Sequence, residues 1–106
     1  MNLPEISVQE LADLQQVGDD IVILDVRNQD EYAICNLKGY LIPMAELSNR
    51  YKELDPNKKI IVHCHVGGRA KRATEFLIQQ GFKQVFNLRG GITAWANEID
   101  LTMKKY

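Results

Sequence analysis

Ile60-Ile61-Val62-His63-Cys64-His65-Val66-Gly67-Gly68-Arg69 changes character twice within a few residues. Its start is a short run of β-branched apolar residues, the pattern of a strand buried on both faces of a parallel sheet. Gly67 and Gly68 then make a permissive loop, and Arg69 to Gln80 reads as a helix with Ala70, Ala73 and Leu77 along one face and Gly81 as its stop. A strand feeding a helix through a tight loop is the repeating unit of α/β architectures.

The same alternation extends outward in both directions. Ile21-Val22-Ile23-Leu24-Asp25-Val26 is a second buried-strand pattern, and Ser7-Val8-Gln9-Glu10 before it has the form of a capping box. Leu11, Leu14 and Val17 follow at helical intervals, so a helix is predicted over residues 8–16. Asn28 to Glu31 repeats the capping logic for a short helix over Gln29 to Ile34, and Pro43 suits a helix start followed by Ala45, Leu47 and Tyr51. Asp55-Pro56-Asn57 is a turn signal. Val85 to Leu88 fits a third strand, and Gly90-Gly91 turns the chain into a last helix over Ile92 to Ile99 around Trp95, which is expected in the core. The expectation is one α/β domain over 1–106, with a mainly parallel central sheet covered by helices on both faces.

Bulk composition narrows the function classes. Thirteen Lys and Arg against fourteen Asp and Glu give a formal net charge of -1, so no whole-molecule field favours nucleic acid or an anionic membrane. Two cysteines, Cys35 and Cys64, are too few for a disulfide scaffold and too far apart for a CxxC pair, although a disulfide between them stays open. Neither a leader-like N-terminal pattern nor a stretch of roughly 20 apolar residues is present, and the expected location is cytoplasmic. His63 and His65 flank the cysteine, but no further ligand set accompanies them, so no metal is expected.

Chemistry is expected beyond the carboxyl ends of the strands, where Asp25, Arg27 and Cys64 all emerge. A loop entering a helix turns unpaired N–H groups toward one point, and the helix dipole adds partial positive charge there. A cysteine sulfur held at that point is favoured as the thiolate, the nucleophilic form. Arg69, in the first helical turn, can place a guanidinium beside an anionic donor such as thiosulfate. Its position opposes the helix dipole, as do those of Lys71 and Arg72, which hints that an anion offsets the charge.

In order along the chain, Leu24-Asp25-Val26-Arg27 with Glu31-Tyr32, Ile42-Pro43, the Cys64 to Arg69 loop, Gly81-Phe82, and Leu88-Arg89-Gly90-Gly91 with Ala94-Trp95 resemble the rhodanese-like domains. The resemblance spans residues 5 to about 100. The ending from Trp95 to Tyr106 looks like the C-terminal rhodanese domain fused to adenylyltransferases that activate sulfur-carrier proteins. The resemblance implies a rhodanese-like fold and a sulfurtransferase cycle. Cys64 would take sulfane sulfur from a donor, thiosulfate or a protein persulfide, carry it as a persulfide, and pass it to a thiophilic acceptor such as cyanide or a sulfur-carrier protein. By motif match, Cys64 is the catalytic nucleophile. His65, Val66, Gly67, Gly68 and Arg69 form the cradle that binds substrate, while Asp25 and Arg27 brace the loop. No metal or organic cofactor is implied. Ala70 stands where Ser or Thr often follows the arginine, and Asn36-Leu37-Lys38-Gly39-Tyr40 replaces the usual His-Ile-Pro-Gly-Ala.

Two alternatives remain open at this level. A phosphatase or arsenate reductase also sets a thiolate and an arginine around an oxyanion, but related phosphatases place five residues between them, whereas His65 to Gly68 supply four. A non-catalytic interaction module is the other, against which the retained nucleophile, glycines and arginine weigh.

Overall fold

The computed structural model describes residues 3–106, so Met1 and Asn2 of the expected 1–106 span lie outside it. The chain runs β1 (Glu5–Ile6), α1 (Val8–Gln16), β2 (Ile21–Asp25), α2 (Gln29–Ile34), β3 (Tyr40–Leu41), α3 (Leu47–Arg50), β4 (Lys59–His63), α4 (Gly68–Gln79), β5 (Gln84–Leu88) and α5 (Gly91–Glu98). All five strands are parallel, in the order β1-β5-β4-β2-β3. The expected α/β class, with a parallel central sheet and helices on both faces, is found.

Strand periodicity sorts the apolar side chains. Leu24, Ile60, Val62 and Val85 face one layer with Leu47, Ala70, Ala73 and Leu77 of α3 and α4. Ile61 and Leu88 point the other way, into a layer with Ile6, Leu11 of α1 and Trp95 of α5. A fully buried Ile60 or Leu77 contributes about 1.5–3 kcal/mol by leaving water, so the central strands form a stiff frame.

Helix α1 begins where the capping box predicts. The Glu10 N–H donates to Ser7 Oγ and the Ser7 N–H to Glu10 Oε1, both at 3.1 Å. After Pro43 the expected single helix is instead divided, with 3-10 turns at Met44–Glu46 and Tyr51–Glu53 on either side of α3. Strands β1 and β3 are two residues each. They exist because tertiary pairing recruits them, Glu5 and Ile6 against Asn87 and Leu88, and Tyr40 and Leu41 against Leu24 and Asp25. Among the described residues no helix is long and apolar enough to cross a membrane.

Candidate active site

Cys64 follows the last residue of β4, the middle strand of the sheet. Pairing continues past the strand ends, with the Val26 N–H donating to the His63 carbonyl oxygen at 3.1 Å and the Ile42 N–H to that of Asp25 at 2.9 Å. Cys64 is therefore anchored at the edge of the apolar layer and is 1% exposed. The chain then wraps around its sulfur. The Gly67 N–H donates to Sγ at 3.1 Å and the Ala70 N–H at 3.4 Å, so the opening of α4 aims two amides at one atom. Gly67 reaches that geometry with φ +136°, which side chains rarely adopt, whereas Gly68 lies within α4 and needs no such freedom.

A second helix start grips the loop from behind. The Ile92 N–H donates to the Cys64 carbonyl oxygen at 3.0 Å, and the Thr93 N–H and hydroxyl donate to that of His65 at 3.1 and 3.0 Å. This requires close contact with α5. A Cβ on Gly91 would lie 2.5 Å from the His65 carbonyl oxygen and 2.7 Å from that of Cys64.

Charges around the loop are paired. Arg69 binds Glu31 in two-pronged fashion, Nη1 to Oε1 at 2.7 Å and Nη2 to Oε2 at 2.9 Å. The anion that offsets Arg69 is thus the protein's own. The Arg69 guanidinium, helped by the Asn28 N–H and the Tyr106 hydroxyl, pulls the Glu31 pKa down to about 2 against the opposing effect of burial. Asp25 and Arg27 are both fully buried and joined at 2.8 Å, with Arg27 Nε and backbone N–H also donating to Asp25 Oδ1 at 3.0 Å each. Burial opposes the charge on Arg27, but the Asp25 carboxylate and Tyr106 hydroxyl outweigh it and raise the pKa.

Arg27 spends its remaining donors on the carbonyl oxygens of Cys35 at 2.8 Å and Glu31 at 3.3 Å and on the Tyr106 hydroxyl at 3.0 Å. Tyr106 in turn donates to Glu31 Oε2 at 2.8 Å and stacks on His65, with ring centroids 4.0 Å apart. His65 Nε2 lies 3.0 Å from the Tyr106 carbonyl oxygen.

Of the residues singled out in the sequence, Cys64 and Gly67 meet at the sulfur. Arg69 and His65 stand on the rim, and Val66 points outward, 63% exposed. Asp25 holds the Arg27 guanidinium, and Arg27 in turn braces the carbonyls of Glu31 and Cys35 and the Tyr106 hydroxyl rather than donating to the cysteine loop. Sequence reasoning missed the clamp from Gly91, Ile92 and Thr93, for which Gly90-Gly91 after a strand was the available signal. It also missed Glu31 as the partner of Arg69 and Tyr106 as a rim residue. Cys35 and Cys64 are free cysteines.

A family model described as Rhodanese-like domain matches residues 7–98. The chain is 33% identical over 100 residues to the putative sulfur carrier protein YrkF of Bacillus subtilis, covering 93% of this chain but only 54% of that relative, about half its length. It is 38% identical over 77 residues to the thiosulfate sulfurtransferase GlpE of Coxiella burnetii, covering 72% of each. The crystal structure of a rhodanese-related protein from Thermoplasma volcanium superposes with a TM-score of 0.82 at 31% identity, covering 91% of this chain and 93% of that one. With the cysteine turn, the all-parallel sheet and these matches in agreement, the chain belongs to the rhodanese-like domain family.

Proposed function

We propose that the protein is a sulfurtransferase that carries sulfane sulfur as a persulfide on Cys64. The observation that carries this is the pair of amides, Gly67 and Ala70, donating to Sγ. A buried sulfur has no water to stabilise negative charge, and these donors take water's place without reorganising. The Cys64 thiolate attacks the sulfane sulfur of a donor such as thiosulfate. The donor's S–S bond breaks, sulfite leaves with the electron pair, and Cys64 holds the new S–S bond. A thiophilic acceptor, cyanide or a group on a sulfur-carrier protein, then takes the outer sulfur; the bond from that sulfur to Sγ breaks with its electron pair left on Sγ, which regenerates the thiolate. His65, Val66, Gly67, Gly68 and Arg69 surround this chemistry, and Asp25 and Arg27 hold its frame. The cycle calls for no metal or organic cofactor and suits a reducing, cytoplasmic setting.

Mass spectrometry after incubation with thiosulfate tests it. Wild type should gain one sulfur, removable by cyanide, and Cys64→Ser should gain none. No adduct with thiosulfate or a protein persulfide would turn the assignment toward an interaction module. Hydrolysis of a phosphate ester, lost in Cys64→Ser, would turn it toward a phosphatase.

A further inference from the structure

A donor whose leaving group is an oxyanion would meet a guanidinium at this site, yet both arginines of the site are already engaged. Arg27 is fully buried, and its donors go to Asp25, to the carbonyl oxygens of Glu31 and Cys35 and to the Tyr106 hydroxyl. Arg69 gives both of its terminal nitrogens to Glu31. We propose that Glu31 determines donor specificity: its carboxylate fills the seat on Arg69 that a donor's oxyanion would take, and so turns the Cys64 site toward sulfane donors of low charge. The assignment deepens the proposed persulfide cycle and rests on it.

Four donors converge on the Glu31 carboxylate, two on each oxygen. Oε1 accepts from Arg69 Nη1 at 2.7 Å and from the Asn28 N–H at 3.0 Å, and Oε2 from the Tyr106 hydroxyl at 2.8 Å and Arg69 Nη2 at 2.9 Å. A two-pronged bond to one guanidinium is the geometry in which arginine recognises carboxylates and other oxyanions. The donors come from the start of α2, from α4 and from Tyr106, so an incoming anion that displaces the carboxylate breaks bonds to three separate segments. With its pKa at about 2, Glu31 is an anion wherever a donor is offered near neutral pH.

The pair stands close to the sulfur. Arg69 immediately precedes Ala70, whose N–H points at Sγ from 3.4 Å. The Arg69 pKa is raised chiefly by the hydrogen bond to Glu31, against burial, and further by the charges of Glu31 and of the Cys64 sulfur. A donor that brings its sulfane sulfur to Sγ therefore brings its leaving group toward a fixed carboxylate, and the repulsion grows with the donor's charge. The Arg69 and Glu31 side chains are only 28% and 15% exposed, so water and salt screen this repulsion incompletely. Selection of this kind opposes the unwanted ligand instead of adding contacts to the wanted one. Lys104 and Lys105, which line the cavity next to His65, pull anions in the opposite sense. They are unchanged when Glu31 is replaced, so a substitution at that position isolates its own effect.

Two pairs of probes, matched in chemistry and unequal in charge, test the assignment. Thiosulfate is a dianion and methanethiosulfonate a monoanion, and both yield their terminal sulfur to the Cys64 thiolate. In each the S–S bond breaks, and sulfite or methanesulfinate leaves with the electron pair. Glu31→Gln should raise the ratio of kcat/KM for thiosulfate to that for methanethiosulfonate about three- to tenfold, the size expected of one partly buried charge contact. Glu31→Asp keeps the charge and should stay near the wild-type ratio. An unchanged or lowered ratio in Glu31→Gln, or an equal rise in Glu31→Asp, overturns the assignment. The second pair needs no sulfur transfer. Alkylation by iodoacetate and by uncharged iodoacetamide, read on the Cys64 peptide by mass spectrometry, should show a rise in the anionic-to-neutral rate ratio for Glu31→Gln. An unchanged ratio overturns the carboxylate's influence on the sulfur. If the wild type gains sulfur from neither donor while the alkylation ratio shifts as expected, the persulfide cycle has failed, and the donor-selecting role falls with it.

Discussion

A sulfur 1% exposed depends on its immediate neighbours for stabilisation as an anion, and at Cys64 those neighbours are backbone amides placed by single residues. Glycine substitutions therefore separate conformational strain from collision. Gly91→Ala combines φ +59° with backbone oxygens 2.5 and 2.7 Å from the new Cβ. Left-handed strain and forced packing together should cost about 2–4 kcal/mol. Gly68→Ala meets nothing within 4 Å and lies in α4, so it should be neutral or stabilising by up to about 1 kcal/mol. Urea unfolding of both variants checks the contrast, and equal effects would mean that α5 does not clamp the cysteine loop. The buried Asp25–Arg27 pair makes a third case. Arg27→Met leaves the Asp25 carboxylate buried and without its main partner, and should lose about 3–5 kcal/mol in the same assay.

At the scale of elements, α2 and α4 are tied by Glu31 and Arg69, and Tyr106 crosses from Glu31 and Arg27 to the ring of His65. Tyr106→Ala removes both hydroxyl contacts and the stacking, and should speed alkylation of Cys64 by iodoacetamide; an unchanged rate would show that this strap does not limit access. The strap was invisible in the sequence because Tyr106 lies far along the chain from each of its partners. Local signals served better where the code is local. The Ser7–Glu10 capping box placed α1 over the residues it occupies, the β-branched runs placed β2 and β4, and the stretch Val85 to Leu88 placed β5, each to within a residue or two. Strands β1 and β3 escaped because two residues carry no readable period. The helix after Pro43 broke into three pieces for a related reason, as tertiary fit overrode a weak apolar spacing. At the site, the cysteine turn was legible because glycine, cysteine and helix start are contiguous. The clamp at Gly91 to Thr93 needed a contact between segments that only the folded sheet brings together.

For the whole molecule, acid stability should fall in two stages, the first led by His63 and the second by Glu31 ahead of the exposed carboxylates Glu5, Asp19 and Glu53, whose pKa values are also lowered. His63 is fully buried, with Nε2 3.6 Å from Asp25 Oδ2 and Nδ1 3.5 Å from the Cys64 carbonyl oxygen. Burial lowers its pKa below the usual 6.5; Asp25 and the Cys64 carbonyl oppose the shift and Arg27 reinforces it. The unfolded chain therefore binds this proton more readily than the folded one. Stability from this group is complete above pH 6.5 and drains away as pH falls below it. Glu31 acts later. Its folded pKa of about 2 lies below the ordinary 4.5, so its contribution is complete above 4.5 and is lost as pH falls toward 2, when Arg69 loses a charged partner. Unfolding free energies measured by urea from about pH 8 to 2 should show both slopes. His63→Gln should flatten the first and leave the second, whereas Glu31→Gln should leave the first and make the second shallower, the remainder coming from Glu5, Asp19 and Glu53. The comparison is between slopes, so a uniform loss of stability from either substitution does not obscure it. An unaltered slope below pH 6.5 in His63→Gln would mean that this histidine is not the buried neutral group beneath the cysteine.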